Sequence, residues 1–325
     1  MSISIHDLPK DQQRNISDLT MEYLSKVLII PTKNVLTTEF LIRQWITTGA
    51  IGGCVWGRPR IGKTHAMEYI SHHLSERFGK NFHSFIWNIS DHPDTEKSFY
   101  ASIMLALGYD TNLGRAAIII KNQLLNILTV MANETPHRKV VMFIDEAWQL
   151  TTGDFSRLMD LYNNLALRKV HLCCFLFGNK ELNDLRDLLK NQNKNQIIGR
   201  FMVHEKQFTG IQTKEDLAFI LCELDRENMI LETEEKSETS ILKYYFPYAE
   251  NESFYNLTQD YWEAFQRIRS QYGLVSKDIP MQYIMESFIL CLERYGVLSN
   301  DSVYFPTQDE LYDCIVDSGY GESNE

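Results

Sequence analysis

Eight residues, Gly57-Arg58-Pro59-Arg60-Ile61-Gly62-Lys63-Thr64, constrain the fold more than any other stretch. They satisfy G-x-x-x-x-G-K-[ST] at every fixed position, a pattern that works only with a strand before it and a helix after it. Both flanks comply. Ile51-Gly52-Gly53-Cys54-Val55-Trp56 reads as a short buried strand, and Thr64 to Ile70 opens a helical apolar pattern. Glycine lets a loop backbone wrap an anion closely, so that successive N–H groups and the positive helix end face it. The stretch predicts a triphosphate cradle in which Lys63 reaches the β- and γ-phosphate oxygens and the Thr64 hydroxyl meets magnesium. A glycine-bearing turn before an ordinary helix would not need the Lys-Thr pair.

A second motif, Lys139-Val140-Val141-Met142-Phe143-Ile144-Asp145-Glu146, is an apolar run ending in two carboxylates. Such a run suits a buried parallel strand whose carboxyl edge meets a ligand. Asp145 is the expected magnesium-side acid, and Glu146 the general base or orienter for an attacking water. Alone, the segment would read as a buried strand followed by a solvated acidic turn. A third run, Val170 to Phe177, leads into Gly178-Asn179, where a polar tip residue could hold the same water. For Asn179 a turn or cap role remains equally open on spacing. Arg200, in Ile197-Ile198-Gly199-Arg200-Phe201, reads by position as a surface arginine.

Strand candidates at 51–56, 82–89, 139–144, 170–177 and 201–208 alternate with helical patterns. The expectation is an α/β fold with a five-stranded parallel sheet between helices. Residues 1–34 form an N-terminal extension with a helix over Ile5–Val27, and residues 35–209 the core. Residues 210–317 form a small helical lid, with helices at Lys214–Asn228 and Pro280–Tyr295, and residues 318–325 a frayed tail. The aromatic group Tyr244, Tyr245, Phe246, Tyr248, Phe254, Tyr255, Tyr261 and Trp262 is read as lid core, since few basic residues interleave it.

These motifs resemble the AAA+ ATPases, and within them the transposon regulator ATPases of the TnsC and TniB type. The resemblance rests on Gly57 to Thr64, Phe143-Ile144-Asp145-Glu146-Ala147, Leu176-Phe177-Gly178-Asn179 and Gly199-Arg200-Phe201, and covers residues 30 to 210. It implies ATP and Mg2+ as cofactors, held by residues 57–64 and Asp145, with Thr64 and Asp145 on the metal. Asn179 takes the place of the family's sensor, and Arg200 that of an arginine finger reaching a neighbouring subunit. It further implies homo-oligomeric assembly around double-stranded DNA, with a target-selection protein and a transposase as partners. The second sensor arginine of many AAA+ lids has no clear counterpart; Arg267 and Arg269 are the candidates. Val35 or Leu36 stands where these proteins touch the adenine, although ordinary packing is the alternative.

Composition bounds the remainder. The net charge of −11 conceals an asymmetry: residues 1–206 hold 24 Lys and Arg against 20 Asp and Glu, whereas 207–325 hold 8 against 23. A near-neutral core that oligomerises can still present a ring of repeated cations to phosphates. Lys97, Arg115 and Lys121 are the candidate DNA contacts, each with a solvated helix face as the alternative. Six scattered cysteines without a C-x-x-C pair read as reduced thiols. Without an 18-residue apolar stretch or an apolar core in Met1–Lys10, a soluble cytoplasmic protein is expected. The competing function class is a signalling or defence NTPase that switches a protein platform without DNA; a metabolite kinase suits the Asp145-Glu146 pair less well.

Overall fold

A computed structural model describes residues 30–77, 82–89, 94–110, 116–226, 228–231, 237–249, 251–297 and 304–323. They fall into two units, residues 34–208 and residues 209–323 joined by 30–33.

In the first unit, the elements run α1 (Lys33–Thr47), β1 (Gly52–Trp56), α2 (Lys63–Arg77), β2 (Phe82–Asn88), α3 (Glu96–Ala106), α4 (Ala117–Asn133) and β3 (Lys139–Asp145). A 3-10 turn (Ala147–Gln149), α5 (Thr152–Leu167), β4 (His171–Gly178), α6 (Glu181–Asn191), α7 (Asn195–Phe201) and β5 (His204–Gln207) follow. All five strands are parallel, in the order β2-β3-β4-β1-β5. This is the AAA+ P-loop fold, with the sheet expected from the strand pattern. Strand β3 is inaccessible from Val140 to Ile144, as a central strand covered on both faces must be, and burial of each such side chain contributes about 2 kcal/mol. Helix α2 turns Ala66, Met67, Ile70 and Leu74 inward, an apolar stripe at helical spacing. Helices α3 and α5 start with capping boxes closed by Thr95 with Ser98 and by Thr151 with Asp154.

The second unit contains α8 (Lys214–Arg226), a hairpin of β6 (Asn228–Leu231) and β7 (Ser237–Ser240), then α9 (Ile241–Tyr245), α10 (Thr258–Tyr272), α11 (Met281–Tyr295) and α12 (Gln308–Asp317). Its core joins Ile30 to apolar faces of α8, α10, α11 and α12. The region is helical as expected, but Asn228 belongs to a strand, and the exposed connection read at 232–238 ends inside β7. Tyr248 (79 % exposed) and Tyr255 stand outside the aromatic core that takes in Tyr244, Tyr245, Phe246, Phe254 and Tyr261. Nor is 318–323 frayed. Gly319 turns the chain at φ 80° into a 3-10 turn, and Tyr320 is buried against Phe265 and Tyr283, at centroid distances of 5.1 and 5.4 Å. An aromatic anchor outweighs the loop-like composition around it. The expected helix at Ile5–Val27 and the candidate Arg115 lie outside the described residues. Among the described residues no helix is long and apolar enough to cross a membrane.

Candidate functional site

Sheet order and register create the site. Strand β4 lies between β1 and β3, pairing Gly178 with Trp56 and Leu176 with Ile144. The carboxyl ends of three strands therefore align, and the loops leaving them meet at one edge, where open α/β sheets bind ligands. The Gly57 N–H donates to the Gly178 carbonyl at 3.1 Å, which fixes the start of the glycine loop to the end of β4.

Within the loop, Gly57 is buried; a Cβ there would stand 2.3 Å from the Phe208 carbonyl oxygen and 2.5 Å from Ile61 Cδ1. Arg58 is half-buried, Pro59 and Arg60 are exposed at the tip, and the Ile61 side chain is tucked under it. Gly62 takes φ 94°, a conformation that glycine adopts without strain. The loop then passes into α2, whose Ala66 N–H donates to the Gly62 carbonyl at 2.9 Å.

Five candidate side chains converge on this edge. Lys63 is buried, its ammonium donating to the carbonyls of Gly57 (3.0 Å) and Arg58 (2.6 Å) and to Asn179 Oδ1 (2.9 Å). The Thr64 hydroxyl donates to Asp145 Oδ2 at 2.9 Å, and the other Asp145 oxygen accepts the Glu146 N–H at 3.0 Å. Glu146 itself adopts φ 53°, uncommon for a residue with a side chain. Its carboxylate accepts a hydrogen bond from Trp148 Nε1. Trp148 is a residue the sequence reading missed. It lies two residues after Glu146, and the left-handed backbone at Glu146 brings indole and carboxylate within reach.

The residues fit a magnesium-bound triphosphate. A hydroxyl and a carboxylate already side by side form the hard-oxygen donor set that Mg2+ prefers. A buried ammonium at the loop mouth supplies the countercharge. Lys63, Thr64, Asp145, Glu146 and Asn179 are thus brought together.

The remaining candidates stand elsewhere. Arg200, on α7, donates to Asn163 Oδ1 at 3.1 Å and lies 5.2 Å from the centroid of the Tyr162 ring. Lys121 forms an ion pair with Asp160 and lies over Tyr100, with its side chain only 14 % exposed. The pair links α4 to α5. Lys97 is half-buried on the first turn of α3. Val35 is buried in α1 and Leu36 half-buried. In the second unit, Arg267 stacks on Tyr312 at 4.5 Å and faces Asp309 at 3.5 Å, while Arg269 donates to the Ser276 carbonyl.

The family model described as an AAA domain matches residues 47–186. No curated protein matches the chain. Among solved structures, the ORC2 protein of Aeropyrum pernix, in ADPNP and ADP complexes, superposes with a TM-score of 0.61 at 13 % identity, over 91 % of this chain and 71 % of that one. The ORC1 protein of the same organism, in complex with DNA, gives 0.52 at 12 % identity, over 91 % and 67 %. At such identities the likeness concerns the fold alone. The chain therefore carries an AAA domain over residues 47–186, set in an AAA+ P-loop fold shared in outline with these ORC proteins.

Proposed function

We propose that this protein is an ATP-hydrolysing, DNA-binding oligomeric AAA+ ATPase that regulates transposition, linking a target-selection protein to a transposase. The observation that carries the ATPase part is the paired contact Thr64–Asp145 and Lys63–Asn179, each 2.9 Å, at one sheet edge. Residues 57–64 and Asp145 hold the nucleotide, with Thr64 and Asp145 on the metal. Bound Mg2+ supplies charge neutralisation at the transferring phosphoryl group. Glu146 accepts the proton of the attacking water, Asn179 orients that water, and Arg200 of one subunit completes the site of its neighbour.

The DNA part draws support from a matched structure described as an ORC1 protein in complex with DNA, and from the near-balanced charge of residues 1–206 beside an acidic remainder. Transposition rests on the motif resemblance. Binding to labelled duplex DNA by fluorescence polarisation, with and without a slowly hydrolysed ATP analogue across a salt series, tests it. ATP-dependent binding that weakens steeply with salt is expected; no ATP-dependent signal at low salt overturns the DNA assignment. The second reading, a nucleotide switch acting on a protein platform without DNA, is favoured by one observation, the commitment of Lys121 to Asp160.

A further inference from the structure

The Glu146 carboxylate is held by a side chain to which nothing above gives a task. Trp148 lies in the 3-10 turn Ala147–Gln149, and the turn is fixed on both sides of it. Ala147 is fully buried, the Gln149 N–H donates to the Glu146 carbonyl at 3.0 Å, and the Gln149 side chain donates to the Ile89 carbonyl at 2.9 Å. Trp148 alone projects outward, 38 % exposed. Its indole has two contacts of consequence. Nε1 donates to Glu146 Oε2. The ring lies against the end of β4, where Cδ1 would stand 3.4 Å from a Cβ on Gly178, the residue directly before Asn179.

We infer that Trp148 is a positioning residue that holds Glu146 in a resting pose and releases it in response to nucleotide. The inference rests on the nucleotide site proposed above. Each reactive group there is paired with a protein partner: Lys63 with Asn179, Thr64 with Asp145, Glu146 with Trp148. Phosphate oxygens compete for the Lys63 ammonium, and so free Asn179. The indole stands beside the strand end that carries Asn179, so a displacement there passes from Asn179 through Gly178 toward Trp148. Once the indole tilts, Oε2 loses its donor and can accept a proton from water. The turn stays in place because Ala147 and Gln149 fix it; only the ring between them has room to move.

Trp148→Phe removes the N–H donor and keeps most of the ring, whereas Trp148→Tyr keeps a donor. Because nucleotide no longer has to displace the donor, the expected result for Trp148→Phe is an affinity for a fluorescent ATP analogue at least threefold tighter than the parent, with kcat at saturating ATP at or above the parent value. Trp148→Tyr is expected to stay within twofold of the parent affinity. An independent readout uses the unmodified protein, in which Trp148 is the most exposed of the five tryptophans. Adding the ATP analogue is expected to change the acrylamide quenching of this indole, a component absent from Trp148→Phe. Unchanged or weaker ATP affinity, or a lower kcat at saturating ATP, in a folded Trp148→Phe protein overturns the inference and leaves the nucleotide site standing. Quenching of the parent that does not respond to bound ATP does the same, even if neither variant folds. A folded parent that binds no ATP overturns both.

Discussion

The Thr64 hydroxyl rests 2.9 Å from Asp145 Oδ2, although 81 residues separate the two in sequence. The contact closes the edge between the first turn of α2 and the end of β3. Because the hydroxyl serves the metal only through its oxygen, Thr64→Val should weaken binding of the magnesium complex of ATP by about 10-fold or more, given about 1.5–3 kcal/mol for a hydrogen bond to a charged group. Titration of a fluorescent ATP analogue with magnesium and with EDTA checks this. The loss should vanish in EDTA, where no metal needs the oxygen.

Glu146→Gln keeps the shape of the side chain and its acceptor for Trp148 while removing the base. Nucleotide affinity should remain, and phosphate release should fall by roughly 10²- to 10⁴-fold, the usual contribution of a general base. Release at the parent rate would take Glu146 out of its role.

The sheet and the nucleotide edge were legible in sequence for one reason: each depends on a local pattern. Val140 to Ile144 announces a buried strand, and residues 57–64 announce a loop whose conformation permits few alternatives. What escaped was non-local. The partner of Lys121 is Asp160 on another helix, which no spacing reveals. Strand β7, Ser237-Glu238-Thr239-Ser240, consists of polar residues with little β signature of their own. Tyr320 is an anchor only because Phe265 and Tyr283 surround it after folding. Trp148 was missed at short range because its contact depends on the left-handed turn at Glu146, and residue type does not announce that turn.

Gly57→Ala should destabilise the first unit and displace the start of the glycine loop. The new methyl would stand 2.3 Å from a backbone oxygen, which cannot swing aside as a flexible side chain can. Overpacking of this sort costs about 1–3 kcal/mol, readable as a lowered urea midpoint with an unchanged slope.

Five of the six thiols are buried, and Cys222 is partly exposed. Burial pushes Cys54 up to about 12 and Cys173 to about 11, and holds Cys174 well above its ordinary value. Since only the thiolate attacks a disulfide reagent, the folded protein at pH 8 should show one fast-reacting thiol, lost in Cys222→Ser. All six should react once the chain is unfolded in denaturant.

The box that starts α12 should make stability sensitive to acid. Burial raises the Glu310 carboxyl, but the Thr307 N–H at 2.7 Å and the hydroxyls of Tyr304 and Thr307 bring it below its ordinary value. A lowered carboxyl favours the folded state above the unfolded value, and that contribution disappears as pH falls through the folded value. Glu310→Gln should therefore cost about 0.5 kcal/mol at pH 7, small because the site is open to solvent. Thermal melts of the two proteins should converge below about pH 4, within the usual carboxylate range.

The interior position of β1 governs when the chain can first become active. Its hydrogen-bonded neighbours are β4 and β5, both far downstream, the last ending at Gln207. At ordinary translation speeds the ribosome needs on the order of ten seconds to travel from the glycine loop to that strand. Until β4 has been made, the loop has no neighbouring strand to hold it. A polypeptide interrupted before His171 would carry the glycine loop and both acids and still lack the strand end to which Gly57 is fixed.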